Sequence, residues 1–343
     1  MKTNERIISG NSSVADWHLR VTILPQCNLK CQYCNPQGVF QRSPRLKDLE
    51  ILEIVAASIE CGICRVHWTG GEPCIRNIVS LAQKSKDIGM IQQIMTTNGT
   101  LRLLEIPAMK QAGINRVNIS LDSLDPAKNS LITGRKYFDT TMQWIHKACQ
   151  TFDMETKMNV VAMADNLDEI PSFIKFAQSF NGKLVLKFIE LCPNNPAFYH
   201  DNLQDHFVTR DDIIAALTHV GVLHPTSCIG DNPNAEYYAV GTTGVKVILV
   251  TMPSQGFKCG LSKCRKLRVS PYGLAGSCIQ QKGIQLMHEP YEKKVAIIRK
   301  LMSVRESYSD VAPVERKHLR LDYGFWRFGE LNKQANPDEC SKS

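Results

Sequence analysis

Three cysteines, Cys27, Cys31 and Cys34, follow an apolar stretch at C-x3-C-x2-C spacing. Three thiolates on one short loop can bind three irons of a cubane cluster and leave the fourth iron open to another ligand. A closed structural zinc site needs four ligands, usually as two C-x2-C pairs, and the next cysteine, Cys61, begins a separate segment. The triplet therefore predicts an open [4Fe–4S] site that can bind and reduce another molecule.

Further motifs accompany the triplet. Tyr33 lies between its last two cysteines, and three short motifs and a second cysteine trio follow along the chain: Thr69-Gly70-Gly71-Glu72-Pro73, Thr96-Thr97-Asn98-Gly99, Asn118-Ile119-Ser120-Leu121-Asp122, and Cys259, Cys264 and Cys278. This combination resembles the radical S-adenosylmethionine (SAM) superfamily and, within it, the GTP 3′,8-cyclase family of molybdenum cofactor biosynthesis. The resemblance covers residues 15–282.

Composition narrows the class of protein. A chain of 343 residues can form one large or two modest domains, and 43% hydrophobic and 22% charged residues are ordinary for a globular protein. No apolar run is long enough to span a bilayer, and residues 1–14 lack the apolar region of a secretory signal. Thirteen cysteines without an export signal favour a reducing cytosol, so we expect a cytoplasmic protein. A net charge of +8 without a polybasic run favours a solvated basic surface over a nucleic-acid partner.

Strand and helix patterns alternate after residue 17. Apolar residues at every second position predict strands at 18–24, 65–69, 91–97, 117–121, 157–162 and 184–191. Helical spacing predicts helices at 46–60, 78–88, 103–112, 141–152 and 167–180, with Pro107 in a first turn. Single helices between strands imply parallel pairing, and six such strands predict an α/β fold, an open, partial (β/α)6 TIM-like barrel.

The pattern changes after residue 195. We expect an N-terminal segment at 1–14, the barrel at 15–195, a C-terminal region at 196–330 that carries the second cysteine trio, and a mobile tail at 331–343. Within the C-terminal region, residues 211–220 and the stretch from Tyr291 to Leu301 predict helices, and 237–240 and 245–250 predict antiparallel strands.

The second faces of the barrel strands are unusually polar. They carry Arg20 and Thr22, then Arg65, His67 and Thr69, then Thr96, Asn118, Ser120, Lys157, Asn159 and Lys187. A buried cation without a partner costs several kcal/mol, so converging cations need anions to meet them. Glu72, Asp122, Glu190, the cluster thiolates and the SAM carboxylate can supply some, and an anionic substrate can supply the rest. The alternative is that some of these residues lie at a wet rim and point to solvent.

The resemblance implies roles for the first site. Cys27, Cys31 and Cys34 would hold a [4Fe–4S] cluster whose open iron binds SAM, and electron transfer would release a 5′-deoxyadenosyl radical that abstracts hydrogen from the substrate. The SAM contacts would come from Tyr33 near the adenine, from Gly70 and Gly71 near the methionine end, from Glu72 at the ammonium group, and from Ser120 and Cys192.

The resemblance also implies a second [4Fe–4S] cluster. Its ligands would be Cys259, Cys264 and Cys278, although the first pair is C-x4-C where the family has C-x2-C, which leaves Cys228 as a substitute first ligand. Arg20, Thr96, Lys157 and Arg268 match substrate-contacting positions, whereas His67, Lys187 and Lys266 replace family arginines. Cys192 replaces a methionine, and the chain ends Glu339-Cys340-Ser341-Lys342-Ser343 in place of the family's Gly-Gly tail.

These departures favour a diverged radical SAM enzyme of the lyase or cyclase type, acting on an anionic metabolite, nucleoside or peptide. The alternative within the class is GTP 3′,8-cyclase itself, and the rival class is a non-catalytic zinc or nucleic-acid-binding protein. We expect an external electron donor and no membrane partner, and we leave a homodimer open. The remaining cysteines, among them the C-x2-C pair Cys61 and Cys64, are interpreted as incidental.

Overall fold

The computed structural model describes residues 17–34, 44–191, 203–227, 235–251, 264–277 and 283–307. Six parallel strands follow one another along the chain and pair in sequence order. They are β1 (His18–Thr22), β2 (Arg65–Thr69), β3 (Gln92–Thr97), β4 (Ile114–Ser120), β5 (Glu155–Ala162) and β6 (Leu184–Glu190). The six predicted strands are thus confirmed, most of them within two or three residues of the expected bounds.

Helices connect these strands. In chain order they are α1 (Asp48–Glu60), α2 (Ile78–Asp87), α3 (Ile106–Gln111), α4 (Pro126–Thr133), α5 (Phe138–His146) and α6 (Ile170–Gln178), followed by α7 (Arg210–Val220) and α8 (Tyr291–Ser307). Pro107 lies in the first turn of α3, as predicted, because its missing N–H costs no helical hydrogen bond there. α4 was not predicted, and α5 begins three residues before the expected start and continues into a π-helical turn at Lys147–Thr151.

The C-terminal region extends the same sheet at both edges. It adds β7 (Leu223–Pro225), β8 (Glu236–Val240) and β9 (Lys246–Val250) beside β6, and β10 (Lys266–Val269), β11 (Leu274–Gly276) and β12 (Ile284–Gln285) beside β1. The predicted antiparallel pair is confirmed as β8 and β9. β9 pairs parallel with β6 and β10 pairs parallel with β1, which the sequence pattern did not predict. The strand order is linear among the described residues, so the sheet is open, as a partial barrel requires.

Apolar side chains fill the space between the sheet and the helices. Trp17, Trp68 and Trp144 are fully buried, and the rings of Phe173 on α6 and Phe188 on β6 pack edge to face with centroids 6.1 Å apart. Aromatic pairs of this geometry add about 1 kcal/mol beyond the area that they bury. This apolar layer covers the outer face of the sheet, and the polar side chains of the strands lie on the inner face.

One buried polar residue links the strands to the helices. Gln93 on β3 accepts from the indole nitrogen of Trp68 at 2.9 Å and donates to the backbone carbonyls of Ala82 and Ala112 at 2.9 and 3.0 Å. Because all three bonds are made inside the protein, the buried amide is stabilising rather than costly. No helix among the described residues is long and apolar enough to cross a membrane.

The predicted domain boundaries are not tested by this architecture. The segments predicted at 1–14 and 331–343 lie outside the described residues. The boundary near residue 195 stays a prediction, since one sheet contains strands from both sides of it.

Candidate active site

The loop that carries the first cysteine trio begins directly after β1 and rests on the C-terminal end of α4. The backbone N–H of Lys30 donates to the carbonyl of Thr133 at 2.9 Å, and that of Gln32 donates to the carbonyl of Ile132 at 3.0 Å. These carbonyls are among those that a helix end leaves without intrahelical partners. α4 therefore serves as the platform of this cluster loop, which we define as residues 27–34.

The three thiols of the cluster loop lie near one another. Burial is the largest cause that raises the pKa of all three thiols, and the charges of Asp122 and of the neighbouring loop cysteines also raise the pKa of Cys31 and Cys34, which for Cys34 reaches about 12. Thiolates crowded in this way favour a cationic metal, which offsets their mutual repulsion. Among the described residues, no three His, Cys, Asp or Glu side chains could hold a single metal ion. The donor set fits a cubane cluster, in which each cysteine binds a different iron.

Gly70 and Gly71 join the end of β2 to the backbone that precedes the cluster loop. The N–H of Gly71 donates to the carbonyl of Leu24, and the N–H of Glu72 donates to that of Gln26, both at 2.8 Å. A Cβ at Gly71 would lie 2.0 Å from the Gln26 carbonyl oxygen, and one at Gly70 would lie 2.7 Å from that of Leu24. The protein's own backbone therefore requires both glycines, and their predicted contact with SAM stays a prediction.

Glu72 is 1% exposed and its carboxylate is used within the protein. Oε1 accepts from the hydroxyl of Thr97 at 2.7 Å and the N–H of Cys74 at 2.9 Å, and Oε2 accepts from the N–H of Asn98 at 2.7 Å. Burial raises the pKa of Glu72, and these hydrogen bonds act against that rise. A carboxylate offers about four acceptor positions, so the predicted bond to the SAM ammonium group has one position left on Oε2.

Tyr33 connects the cluster loop to the sheet. Its hydroxyl donates to Oδ2 of Asp122 at 2.7 Å, and Oδ1 of Asp122 accepts from the N–H of Val161 at 2.8 Å. Burial raises the pKa of Asp122 to about 6. Ser120, at the end of β4, lies in register with Asn159 of β5. Cys192, the remaining predicted SAM contact, lies outside the described residues.

The sheet brings the predicted substrate-binding side chains to one face. Arg20 is in register with His67 and Arg268 on the neighbouring strands, and Asn159 is in register with Lys187, so these side chains share the inner face. We call this face the lumen, and its cationic side chains the lumen cations: Arg20, Lys157, Lys187, Lys266 and Arg268. His67 and Thr96 lie between them and contact each other, with 2.7 Å between Nε2 and Oγ1.

The lumen cations perturb one another. Burial and the charge of Arg268 lower the pKa of Arg20 to about 10. Burial and then the charges of Lys266, Arg20 and Lys157 lower the pKa of Lys187 to about 7. A lysine whose pKa falls this far lies where the neutral amine is favoured over the ammonium. The strand register and these lowered pKa values both indicate that the cations lie near one another, and their roles toward a substrate remain predictions.

Lys157 lies near a described carboxylate, and two other polar atoms of the lumen make no hydrogen bond within the described residues. Lys157 Nζ lies 3.6 Å from a carboxylate oxygen of Glu155, which also binds Arg116. Nη1 of Arg268 is buried and makes no hydrogen bond to the part of the chain that the structure describes. The same holds for Oδ1 of Asn159, which is 8% exposed. A buried polar atom without a partner costs about 1–3 kcal/mol, so both atoms are suited to meet a ligand.

Asn159 was predicted on the polar face of β5, two residues after Lys157, but it was not assigned a substrate contact of its own. Gln26, just before the cluster loop, was missed. Its Oε1 is buried and makes no hydrogen bond within the described residues. Nothing in local periodicity marks such a residue, because its importance comes from the loop that surrounds it.

The second cysteine trio is described only in part. Cys264 is 6% exposed and lies two residues before β10, the strand that carries Lys266 and Arg268. Cys259 and Cys278 lie outside the described residues, as does the substitute Cys228. Cys264 thus lies beside the strand that carries two lumen cations, and its role as a ligand of a second cluster stays a prediction, as do the roles of Cys259 and Cys278.

Comparison with known proteins decides the family. The model of the radical SAM superfamily matches residues 21–177. A GTP 3′,8-cyclase of Alkaliphilus oremlandii is 34% identical over 76% of this chain and 80% of its own length. The chain belongs to the radical SAM superfamily and, within it, to the GTP 3′,8-cyclase family. A GTP 3′,8-cyclase of Vibrio vulnificus (strain YJ016) is 32% identical over 79% of this chain and 81% of its own length.

Solved structures support the fold of this radical SAM enzyme. The structure of Streptococcus suis SuiB bound to S-adenosylmethionine superposes with a TM-score of 0.61 over 91% of this chain and 72% of that chain, at 13% identity. That likeness concerns the fold alone. Together with the family it confirms the predicted class: an α/β radical SAM enzyme whose cofactors are [4Fe–4S] clusters and SAM.

Proposed function

We propose that this radical SAM enzyme acts on an anionic small molecule that is smaller or less charged than GTP and that binds against the lumen cations. The observation that carries the proposal is the strand register that places Arg20, Arg268 and Lys187 on one face, where Nη1 of Arg268 is buried without a hydrogen bond among the described residues. The lowered pKa of Lys187, caused by burial and then by three other cations, agrees with this crowding. An anion in the lumen would offset these charges and satisfy the unpartnered Nη1 of Arg268. Substrate binding would thus relieve the electrostatic cost of holding these cations close together.

Different residues would bind the clusters, SAM and the substrate. Cys27, Cys31 and Cys34 would hold the cluster, and the residues around Gly71, Glu72 and Ser120 would orient SAM. The bound cofactors supply the 5′-deoxyadenosyl radical that abstracts hydrogen, with an external donor providing the electron. Cys264, with Cys259 and Cys278, would hold the second cluster. The protein's own contribution is to bind the substrate, to orient it toward SAM and to exclude water.

The kinds of cation in the lumen argue against a triphosphate. An arginine binds phosphate through two parallel hydrogen bonds, whereas lysine acts as a point charge. Lys187 and Lys266 stand where the cyclase family has arginine, and His67 stands where it has a third. Burial and neighbouring cations hold the pKa of His67 well below its usual value, so the ring adds no charge. Two arginine forks, Arg20 and Arg268, suit a carboxylate or a single phosphate group.

A second candidate function is GTP 3′,8-cyclase itself. The observation in its favour is the 34% identity to the Alkaliphilus enzyme across most of both chains. Arg20, Thr96, Lys157 and Arg268 match the substrate-contacting positions of that family. A peptide substrate is a further outcome of the same assay.

Anaerobic turnover distinguishes these functions. The reduced, cluster-loaded protein is incubated with SAM and either GTP or a panel of carboxylates, nucleoside monophosphates and short peptides, and 5′-deoxyadenosine is quantified. We expect one of the smaller anions to stimulate 5′-deoxyadenosine formation above the level with SAM alone and above that with GTP. Multiple turnovers of GTP to a cyclised purine would overturn the proposal and establish the cyclase function.

Arg268 provides the matching variant. Loss of a charged hydrogen-bond donor costs about 1.5–3 kcal/mol, so Arg268→Ala should lower kcat/KM for the substrate found above by about 10- to 100-fold. SAM cleavage without substrate should persist, because Arg268 lies on β10 in register with Arg20, whereas the cluster loop follows the end of β1. Lys183→Ala, which removes an exposed cation paired with Asp153, is the control and should leave kcat/KM unchanged. Loss of SAM binding with substrate affinity intact would show that the role of Arg268 is wrongly assigned.

A further inference from the structure

Four side chains on the lumen face form a row of hydrogen bonds that crosses four neighbouring strands. Nη1 of Arg20 lies 3.4 Å from Nδ1 of His67, and Nε2 of His67 lies 2.7 Å from Oγ1 of Thr96. The amide nitrogen of Asn118 lies 3.2 Å from the same Oγ1. The residues come from β1, β2, β3 and β4, so the row depends on the pairing of four neighbouring strands.

The charge state of the imidazole determines how the row is polarised. Burial is the largest cause that holds the pKa of His67 well below its usual value, followed by the charges of Arg20, Lys187, Lys266 and His18 around it. The ring is therefore neutral at physiological pH and carries one N–H. A neutral imidazole has one donor nitrogen and one acceptor nitrogen, and its neighbours decide which is which.

Arg20 fixes the tautomer. A guanidinium has donors only, so the nitrogen of His67 that faces it, Nδ1, must accept. The proton is then on Nε2, which donates to Oγ1 of Thr96. The other ring contact, 3.4 Å between Nε2 and the amide nitrogen of Asn118, joins two donors and does not compete.

Thr96 then has a single polar function left. A hydroxyl oxygen accepts through two lone pairs, and His67 and Asn118 occupy both. Its remaining capacity is the O–H proton, and the half-buried side chain lies on the lumen face. We propose that the Arg20–His67 pair holds Thr96 as an obligate hydrogen-bond donor, so that the lumen selects a substrate with an acceptor oxygen or nitrogen at this position and rejects a donor there.

This inference rests on the proposed function and narrows it. It makes His67 a positioning residue: the ring acts on the substrate only through Thr96. An anionic oxygen is an acceptor without a proton, so the selection of an acceptor and the charge of the lumen act in the same direction.

The first test needs no ligand. Histidine labelled with ¹⁵N is introduced into the holoenzyme, and the ring nitrogens of the nine histidines are observed by NMR from pH 5 to pH 8. The His67 signals are assigned by their absence in His67→Gln. We expect a neutral ring with its proton on Nε2 across this range. A charged ring, or a proton on Nδ1, overturns the inference whatever the substrate is.

The second test is a double-mutant cycle with inorganic pyrophosphate as the probe, since nearly all of its oxygens are hydrogen-bond acceptors. Thr96→Val and His67→Phe should each weaken pyrophosphate binding about fivefold, the effect of one neutral hydrogen bond. If His67 acts through Thr96, the double variant should bind no worse than Thr96→Val alone. His67→Gln, whose amide can accept from Arg20 and donate to Thr96, should restore most of the affinity.

The outcomes of the two tests distinguish the role of His67 from the anionic substrate of the proposed function. Additive losses in the cycle contradict the relay through Thr96, as does tighter pyrophosphate binding by Thr96→Val. A wild-type protein that binds no pyrophosphate contradicts the anionic substrate of the proposed function, and the NMR experiment then still decides the state of His67.

Discussion

The cluster end of the molecule and the lumen are built in opposite ways. At the cluster end, most of the described polar groups have partners within the protein: Glu72 accepts three hydrogen bonds, and Asn98 donates to Asn28 at 2.9 Å. In the lumen, Arg268 and Asn159 each keep a buried atom without a hydrogen bond among the described residues. The carboxylate and amide groups around Glu72 are therefore bonded before any ligand binds, with Gln26 Oε1 as the exception at that end, whereas the lumen keeps a buried atom of a charged group without a hydrogen-bond partner in the described part of the chain.

The contrast teaches where specificity lies. A region whose hydrogen bonds are complete holds its geometry at little cost, which suits cofactors that are the same throughout a superfamily. A region with converging cations stores an electrostatic cost that a matching ligand relieves. Changes at the cluster end should therefore affect cofactor binding and stability, and changes in the lumen should affect substrate choice.

The largest expected effect tests the cofactor role of the cluster end. Replacing Cys27, Cys31 and Cys34 together by alanine removes all three iron ligands of the loop, so SAM cleavage should fall below detection. Iron and sulfide should drop by the content of one cluster. The matched control replaces Cys61 and Cys64, another C-x2-C pair, and should keep both metal content and SAM cleavage. Full SAM cleavage by the triple variant would refute the cluster assignment.

The next effect tests how rigid that end is. Gly71→Ala places a Cβ 2.0 Å from the Gln26 carbonyl, and backbone cannot yield as a flexible side chain does. We expect a loss of about 3 kcal/mol in the free energy of unfolding, with faster iron release to a chelator. Gly70→Ala, with 2.7 Å to the Leu24 carbonyl, should cost less. Equal stability of wild type and Gly71→Ala in urea unfolding would show that the loop adjusts freely.

Replacing a lumen cation should raise the free energy of unfolding, whereas the changes at the cluster end lower it. Since burial lowers the pKa of Lys187 to about 7, the unfolded chain binds a proton that the folded chain lacks between pH 7 and the ordinary lysine pKa. Stability of the wild type should rise with pH across that window. Lys187→Met removes the cost and should stabilise the substrate-free protein by about 2 kcal/mol at pH 7.

The same variant should bind the anionic substrate more weakly, because one cation is gone. In the wild type, KM for that substrate should rise as the pH passes above 7 and the ammonium loses its proton. Lys246→Met, an exposed lysine on β9, is the control and should change neither stability nor KM. Lower stability of Lys187→Met at pH 7 would mean that the lumen already satisfies this lysine.

Much of the fold follows from local patterns. Alternating apolar residues give β1 and β5 nearly to their ends, and the polar faces of the same strands predict the converging cations. The parallel pairing of β10 with β1 could not be predicted, since register between segments far apart in sequence leaves no local periodicity. The row from Arg20 to Asn118 depends on distances between strands for the same reason.

The missed helix α4 is a different case, because its signals were present. Asp125 and Pro126 are typical of a helix start, and Gly134, with φ 66°, ends it in the left-handed conformation that favours glycine. The apolar pattern between them was weak, since α4 has eight residues and Leu131 is 71% exposed. Capping residues were thus more informative here than hydrophobic periodicity.

The smallest expected effect concerns the support that α4 gives to the cluster loop. Oδ1 of Asp125 accepts from the N–H of Lys128 at 2.8 Å, and Asp125→Ala removes this cap at a cost of about 1 kcal/mol. For a chain of this size the melting temperature should fall by about 2 °C.

A short helix that frays at its start also holds its end less firmly, so the carbonyls of Ile132 and Thr133 should support the cluster loop less well. Iron release to a chelator should be slightly faster, whereas Asp125→Asn, which keeps an acceptor at the cap, should match the wild type in both measurements. Unchanged iron release alongside the lower melting temperature would mean that the loop is held by its contacts with Gly71 and Glu72 rather than by α4.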